Sequence, residues 1–191
     1  LAMCTLQDEV DVNGDTQVIL PRKGVLELGR LLLEEDADIA IVVGSNHVRA
    51  TTDDFTFTSK LVDGKFPDYQ RVLPRAPDKI VLGDRLELRQ AFTRTAILSN
   101  EKYRGIRLKL SDNNLELMAN NPEQEEAEEI VPVDYQGDPL EIGFNVSYLL
   151  DVLGVLSGQS IKHSLADPNS SAQLEESNEG DSLYVVMPMR L

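Results

Sequence analysis

The stretch KIVLGDRLEL, from Lys79 to Leu88, decides the fold of this chain. Residues 79–82 are rich in β-branched and leucine side chains, which favours a strand. Asp84 stands where a helix N-cap is expected, and Glu87 three residues later completes a capping box. We expect the helix to run to about Ser99. The stretch therefore predicts a strand that passes directly into a helix.

The same succession of strand and helix occurs twice more. Downstream, residues 140–144 predict a strand and 146–156 a helix. Upstream, 17–20 predict a strand, and 22–35 a helix that starts after Pro21, a residue favoured in the first turn. A period of roughly sixty residues is too long for a solenoid repeat. We therefore expect two units to form one α+β domain, with half of another such domain before it.

Strands and hairpins follow each helix, and their alternation predicts antiparallel sheets with one face covered by helices. The segment 74–78, with two prolines, reads as a short semi-rigid linker. The other predicted strands are residues 1–6, 38–43, 47–52, 55–60, 105–110, 115–119, 125–133, 160–166, 172–176 and 182–187.

Composition restricts the function. The chain has 18 Lys and Arg against 33 Asp and Glu, a net charge of −15. This balance argues against nucleic-acid binding unless the basic residues gather on one face. The single Cys4 cannot form an internal disulfide, which fits a reducing compartment. Leu1 begins the chain inside an apolar run, which we interpret as a cut through a longer protein.

Catalytic and metal sites are not expected. His47 and His163 lie in predicted strands of different units, and a nucleophile beside a base is missing. The polar connection at residues 8–16 lacks the glycine and glutamate positions of a calcium loop. No phosphate-binding glycine-rich loop occurs. We therefore predict no catalytic residues, no metal site and no cofactor.

The chain ends in apolar residues, YVVMPMRL at 184–191. Pro188 has no N–H to donate, so it ends the last predicted strand. Met189, Arg190 and Leu191 then have to lie at the surface. They are either a strand end that tucks away or one wall of a binding site, because methionine suits adaptable binding surfaces.

Six strings of this sequence resemble the bacterial β sliding clamps, the processivity subunits of DNA polymerase III. They are VILPRKGV (18–25), FTSKLVDGKFPDY (57–69), AILSNEK (96–102), ANNPEQEEAEE (119–129), GFNVSYLLDVL (143–153) and VVMPMRL (185–191). The resemblance implies the α+β DNA-clamp fold, with antiparallel sheets outside, helices on the inner face and repeated strand-helix-strand-strand-strand units. Residues 1–75 match the second part of the middle domain and 76–191 the carboxyl-terminal domain; the first domain is absent.

The resemblance also implies a function. In the family, two subunits join head to tail into a ring that slides on duplex DNA without sequence specificity and tethers polymerase III. Such a protein is a cytoplasmic accessory subunit and not an enzyme. The complete protein is a homodimer, whereas we expect this chain alone to be monomeric. The DNA-facing residues carried over from the family are Arg22, Lys23, Arg85 and Arg89.

The family recruits the polymerase III catalytic subunit, the clamp loader, other polymerases and repair proteins through short peptides that bind an apolar groove. By resemblance, this groove comprises Leu1, Pro67, Arg71, Val72, Tyr103, Asn145, Tyr148, Ser171, Val185, Val186, Met187, Pro188, Met189, Arg190 and Leu191. The resemblance places the subunit interface at Ile97, Leu98, Glu123, Glu125, Glu126, Glu128 and Glu129. The alternative function is a non-catalytic protein-interaction module that does not encircle DNA, and loss of peptide binding on removal of residues 189–191 tests the recruitment role.

Overall fold

The computed structural model of the protein describes residues 1–6, 14, 16–32, 38–178 and 180–190. The chain forms two compact units, a larger one of Leu1–Gln7 with Asp68–Leu191 and a smaller one of Asp8–Pro67. The sequence-based division after residue 75 instead places the first residues with the smaller unit. The assignment of domains stays a prediction.

Three α-helices, one 3-10 helix and twelve strands occur in the described residues. In chain order they are β1 (Ala2–Cys4), α1 (Arg22–Leu31), β2 (Ala40–Val43), β3 (His47–Thr51), β4 (Thr56–Lys60), a 3-10 helix (Tyr69–Arg71), β5 (Lys79–Asp84), α2 (Arg85–Ala96), β6 (Gly105–Ser111), β7 (Asn114–Asn120), β8 (Glu126–Pro132), β9 (Leu140–Asn145), α3 (Val146–Val155), β10 (Ser160–Leu165), β11 (Ala172–Glu176) and β12 (Ser182–Val186).

The larger unit contains two antiparallel sheets. One has the order β1-β12-β11-β10-β5 and the other β8-β7-β6-β9. Leu82 and Asp134 exchange two backbone hydrogen bonds, of 3.0 and 2.7 Å, and so join β5 to the segment that follows β8. Beyond β12, the N–H of Met189 donates to the carbonyl of Gly143 at 2.8 Å. The chain end is therefore fixed to the second sheet although it is not a strand.

Helices α2 and α3 contact each other and cover one face of these sheets. Along β6, Ile106, Leu108 and Leu110 are buried, whereas Arg107 and Lys109 between them are half-exposed and exposed. This alternation with a period of two is typical of a sheet with one face in the core. The expected α+β class is confirmed.

Both helices of the larger unit start at a side-chain cap, and that of α2 is the predicted Asp84. The Asp84 carboxylate accepts a hydrogen bond from the N–H of Glu87 at 2.9 Å. The Asn145 side-chain oxygen accepts one from the N–H of Ser147 at 2.9 Å. Each cap satisfies an N–H that the first helical turn leaves without a partner.

In the smaller unit, α1 accompanies a three-stranded sheet of order β2-β3-β4. The Ile- and Val-rich composition of the predicted strand 38–43 favours burial, but all four residues of β2 are exposed. This strand is an edge strand that pairs only with β3 among the described residues, so little covers it. Residues 17–20 form no strand, because a single backbone bond from Val62 to Ile19 does not make a ladder. The polar connection 8–16 falls mostly outside the described residues.

Candidate functional site

The terminal strand β12 lies between β1 and β11. Leu1 and Val185 exchange two hydrogen bonds: the Val185 N–H donates to the Leu1 carbonyl at 2.8 Å, and the Leu1 amine donates to the Val185 carbonyl at 2.9 Å. On the other side, Val186 pairs with Ala172. The strand ends at Val186, two residues before Pro188, and Met187 is exposed. The chain end therefore combines a fixed strand with an exposed apolar continuation.

A cavity of about 440 Å³ opens beside this strand and α3. Of the groove residues implied by resemblance, it brings together Leu1, Tyr148, Val185, Val186 and Met187. Tyr148 is 59% exposed. An exposed aromatic side chain that lines an apolar cavity is suited to anchor a peptide.

Five further residues line this cavity and were not predicted. On α3 they are Asp151, Val152 and Val155, and on the strands Ala2 and Tyr184. Tyr148, Val152 and Val155 follow one another at helical spacing, i, i+4 and i+7, so the pattern of one helix face could have identified them. Asp151 gives this otherwise apolar cavity one carboxylate.

Asn145 and Tyr103 form a second group. The Asn145 amide donates to the Tyr103 carbonyl at 3.2 Å, while its oxygen caps α3. The Tyr103 ring is 57% exposed, and the Lys102 ammonium lies 5.2 Å from its centroid. Asn145 therefore couples the loop that carries Tyr103 to the start of the helix that carries Tyr148.

Val72 and Ser171 form a third group. The Ser171 hydroxyl donates to the Val72 carbonyl at 2.6 Å, and Ser171 is buried while Val72 stays exposed. The neighbouring Arg71 pairs with Asp68 at 2.9 Å on the surface. Because Ser171 directly precedes β11, this bond fixes the segment around Val72 to the sheet that contains the terminal strand.

The tail after β12 borders a cleft of about 300 Å³ on the second sheet. Met189 and Arg190, both predicted groove residues, line it together with Arg107, Glu141, Ile142, Gly143, Pro168 and Asn169. Pro188, between Met187 and Met189, is half-buried. Pro67 is exposed and belongs to the smaller unit, and Leu191 lies outside the described residues. The groove as a whole stays a prediction.

The four predicted DNA-facing residues differ in their contacts. Arg22 and Lys23 are exposed in the first turn of α1, and Arg89 is exposed on α2. Arg85 is half-buried instead: its guanidinium donates to the carbonyls of Leu153 at 3.1 Å and Gly158 at 2.8 Å. These bonds satisfy carbonyls at and after the end of α3.

A carboxylate completes this contact with the loop after α3. Glu176 accepts hydrogen bonds from the N–H of Gly158 and from the N–H and hydroxyl of Ser157, at 2.9 to 3.0 Å. These donors lower the pKa of Glu176, the Gly158 N–H most of all. Arg85 and Glu176 thus hold one loop from two different elements, a role that the helical spacing of the arginines did not reveal.

The predicted interface residues lie near the end of α2 and along β8. Ile97 follows the helix and is 74% exposed, whereas Leu98 is half-buried. Glu123, Glu125, Glu126 and Glu128 are exposed. Glu129 is half-buried, and both of its carboxylate oxygens accept hydrogen bonds from the Arg94 guanidinium of α2. Two of the five carboxylates are therefore engaged within the chain, because Glu125 also accepts a hydrogen bond from the Asn121 side-chain amide at 2.6 Å. Whether these residues form an interface stays a prediction.

The two histidines differ in burial. His47 is exposed, and its Nδ1 donates a hydrogen bond to the Asn46 side-chain oxygen at 2.6 Å. His163 is buried in β10 with its ring centroid 6.0 Å from that of Phe144, and its Nε2 has no partner among the described residues. Burial lowers the pKa of His163 to about 4. The ring is therefore neutral near pH 7 and acts as a core side chain.

The described residues lack two features, a metal-binding cluster and a membrane-spanning helix. They contain no group of three or more His, Cys, Asp or Glu side chains arranged to hold a metal ion. None of their helices has the length and apolar character that crossing a membrane requires.

Comparisons with known proteins agree with the resemblance. The family model of the DNA polymerase III beta subunit central domain matches residues 1–68, and that of the C-terminal domain matches 70–190. The chain is 65% identical over 191 residues to the beta sliding clamp of Pseudomonas aeruginosa and 57% identical over 174 residues to that of Escherichia coli. These matches cover 100% and 91% of the chain but 52% and 48% of the relatives. The chain thus spans about half the length of the curated relatives it matches.

A solved structure of the Pseudomonas aeruginosa sliding clamp bound to griselimycin superposes with a TM-score of 0.96 at 65% identity, over 100% of this chain and 52% of the other. A Caulobacter crescentus beta sliding clamp gives a TM-score of 0.94 at 36% identity, over 100% of this chain and 50% of the other. The expected clamp fold is confirmed.

Proposed function

The chain belongs to the family of bacterial β sliding clamps, the β subunits of DNA polymerase III, and on that basis we propose that it serves as a DNA replication processivity factor. It would work in the cytoplasm as an accessory subunit, with no catalytic residues of its own. Its partners would be the polymerase III catalytic subunit, the clamp loader, other polymerases and repair proteins, and duplex DNA.

The observation that carries this proposal is the cavity beside the terminal strand. Five residues named by the resemblance line it, although Leu1 and Met187 stand at opposite ends of the chain and Tyr148 on a helix. Its walls are mainly apolar, and hydrogen-bonding groups such as the Asn145 amide lie at the start of the same helix. Such a surface suits a short peptide with apolar side chains. The Pseudomonas aeruginosa clamp has been solved with griselimycin, and we propose that griselimycin binds this groove too.

Peptide titration tests the recruitment role. The probe is a peptide from the carboxyl-terminal tail of the polymerase III catalytic subunit, titrated into the ring-forming protein and into a truncation that ends at Pro188. Truncation removes the Met189 N–H bond to Gly143 that fixes the tail. Because the truncated protein lacks this apolar wall and its backbone anchor, its Kd for the peptide should be about tenfold higher or more. Griselimycin should displace the peptide from the intact protein.

A matched control is Arg89→Ala, which changes an exposed residue that lies outside the cavity. It should leave the peptide Kd unchanged. Equal affinity of the truncated and intact proteins would refute recruitment through the tail.

The DNA-encircling role rests on the family and on the exposed basic residues of the helices. Arg89, Arg22 and Lys23 are free to face DNA, whereas Arg85 is engaged with the loop after α3. Loose contacts suit sliding, because each phosphate contact adds to salt-dependent affinity. Retention on nicked circular DNA but not on linear DNA would support encirclement. If the protein dissociates equally from circular and linear DNA while it still binds the peptide, the result would favour an interaction module that does not encircle DNA.

Ring closure would involve the residues at the end of α2 and along β8. Ile97 is strongly exposed for a large aliphatic side chain, and the acidic side chains around it would face basic residues of a second subunit. Replacement of Ile97 by Asp should shift the ring-forming protein from dimer to monomer in sedimentation velocity. An unchanged sedimentation coefficient would place the interface elsewhere.

A further inference from the structure

The cleft under the tail is not needed to explain how an apolar peptide binds. It is bounded by the tail residues Met189 and Arg190 on one side and by Arg107, Glu141 and Gly143 of the second sheet on the other. The hydrogen bond from Met189 to Gly143 fixes its edge. Met189 and Arg190 also belong to the predicted groove, so the cleft borders on residues that the resemblance assigns to that groove.

Its charges are unusual for this molecule. The cleft is lined by two guanidinium groups, of Arg107 and Arg190, and by one carboxylate, of Glu141. The net charge of these side chains is positive, although the whole chain has a net charge of −15. Arg190 is exposed. A local positive region in an acidic protein selects for an acidic ligand and guides its approach.

Arg107 can take a second carboxylate without losing its present one. Its Nη1 lies 3.0 Å from Oε1 of Glu141, and both side chains are about half-exposed. An exposed pair of this kind contributes little free energy and exchanges readily. The guanidinium has five N–H groups and binds carboxylates in a bidentate manner, so donors remain for a ligand.

Resting on the proposed function, we propose that this cleft is an accessory subsite for an acidic side chain that flanks the apolar docking peptide. The groove and the cleft would then recognise two features of a partner peptide. Its apolar residues would bind beside Tyr148 and Met187, and a carboxylate would bind next to Arg107 and Arg190. Partners with the same apolar residues would be ranked by the charge of their flanks.

Four peptides test this with the ring-forming protein. Each contains the polymerase-tail peptide, extended by two Glu or two Gln residues at its amino end or at its carboxyl end. At one of the two ends, the Glu form should bind about two- to fivefold more tightly than the Gln form, the range expected for exposed ion pairs. Raising the salt concentration to about 0.5 M should reduce this ratio, because screening weakens exposed pairs.

Arg107→Gln should abolish the preference for Glu while leaving the affinity for the Gln peptides unchanged. Lys109→Gln is the matched control: Lys109 lies two residues along β6, is also exposed, and pairs with Glu116 at 3.0 Å. That variant should keep the preference.

The outcomes separate the two proposals. Gln peptides that bind normally without any gain from Glu at either end would overturn the subsite and leave the groove intact. A preference that survives in Arg107→Gln would also overturn it. If none of the four peptides binds the unmodified protein, the proposed recruitment function fails and the subsite fails with it.

Discussion

Asn145 joins two parts of the candidate groove, and its replacement gives a quantitative prediction. Its oxygen accepts the Ser147 N–H at 2.9 Å and so caps α3, and its amide donates to the Tyr103 carbonyl at 3.2 Å. Loss of an N-cap costs about 1 kcal/mol. Loss of an exposed hydrogen bond costs about 0.5 kcal/mol, the low end of the usual range. Asn145→Ala should therefore lower the free energy of unfolding by about 1.5 kcal/mol.

Asn145→Asp separates the two contributions. A carboxylate keeps the capping acceptor and suits a helix N-terminus, but it cannot donate to the Tyr103 carbonyl. This variant should cost only about 0.5 kcal/mol, the share of the lost donor. Both variants should weaken peptide binding, because they lose the bond that holds the Tyr103 carbonyl to the start of α3.

The measurement is urea unfolding followed by far-UV circular dichroism. With a slope of about 2 kcal/mol/M, the alanine variant should shift the midpoint by about 0.75 M and the aspartate variant by about 0.25 M. Equal shifts for the two variants would show that the cap contributes nothing. A shift below about 0.2 M for alanine would refute the contribution of both bonds.

Two further predictions concern side chains of the larger unit. The pKa of His163 is about 4 in the folded chain and near 6.5 in the unfolded chain, so the unfolded chain binds the proton more tightly. The free energy of unfolding that depends on this group is therefore fully present above pH 6.5. It falls by about 3 kcal/mol in all as the pH drops toward 4. His163→Leu should flatten this part of the pH profile in urea unfolding, and parallel profiles would contradict the assignment. Arg85→Ala should cost about 1–2 kcal/mol of unfolding free energy because it leaves two carbonyls without their donor, whereas Arg89→Ala should cost less than about 0.5 kcal/mol and reduce retention on circular DNA. Equal stability losses would mean that the Arg85 contacts contribute little.

Local patterns were sufficient for much of the fold. Strand β5 and helix α2 follow from residues 79–96, because Asp84 caps a helix whose buried residues recur at helical spacing. The same reasoning locates α3 after Asn145. In both cases the signal comes from residues within one or two turns of each other, so no distant contact is needed to interpret it.

Sequence patterns were misleading at positions where contacts with distant residues decide the burial or the partners of a side chain. The apolar strand β2 reads as buried, yet it is exposed, since burial depends on which other elements cover a strand. Arg85 and Arg89 have equivalent sequence positions on one helix face, but only Arg85 reaches the loop after α3. His163 follows a lysine in a strand that looks polar, and only the packing against Phe144 shows that it belongs to the core.

The residues of the candidate groove follow partly from the sequence and partly from the tertiary structure. The sequence by itself determined the family and the apolar terminal strand, because these are properties of contiguous residues. The tertiary structure alone decided that Leu1 pairs with Val185, that Asp151 and Val155 border the same cavity, and that Arg107 meets the tail. Such contacts join residues that are far apart along the chain, and their positions follow from strand register and helix packing, which local periodicity does not specify.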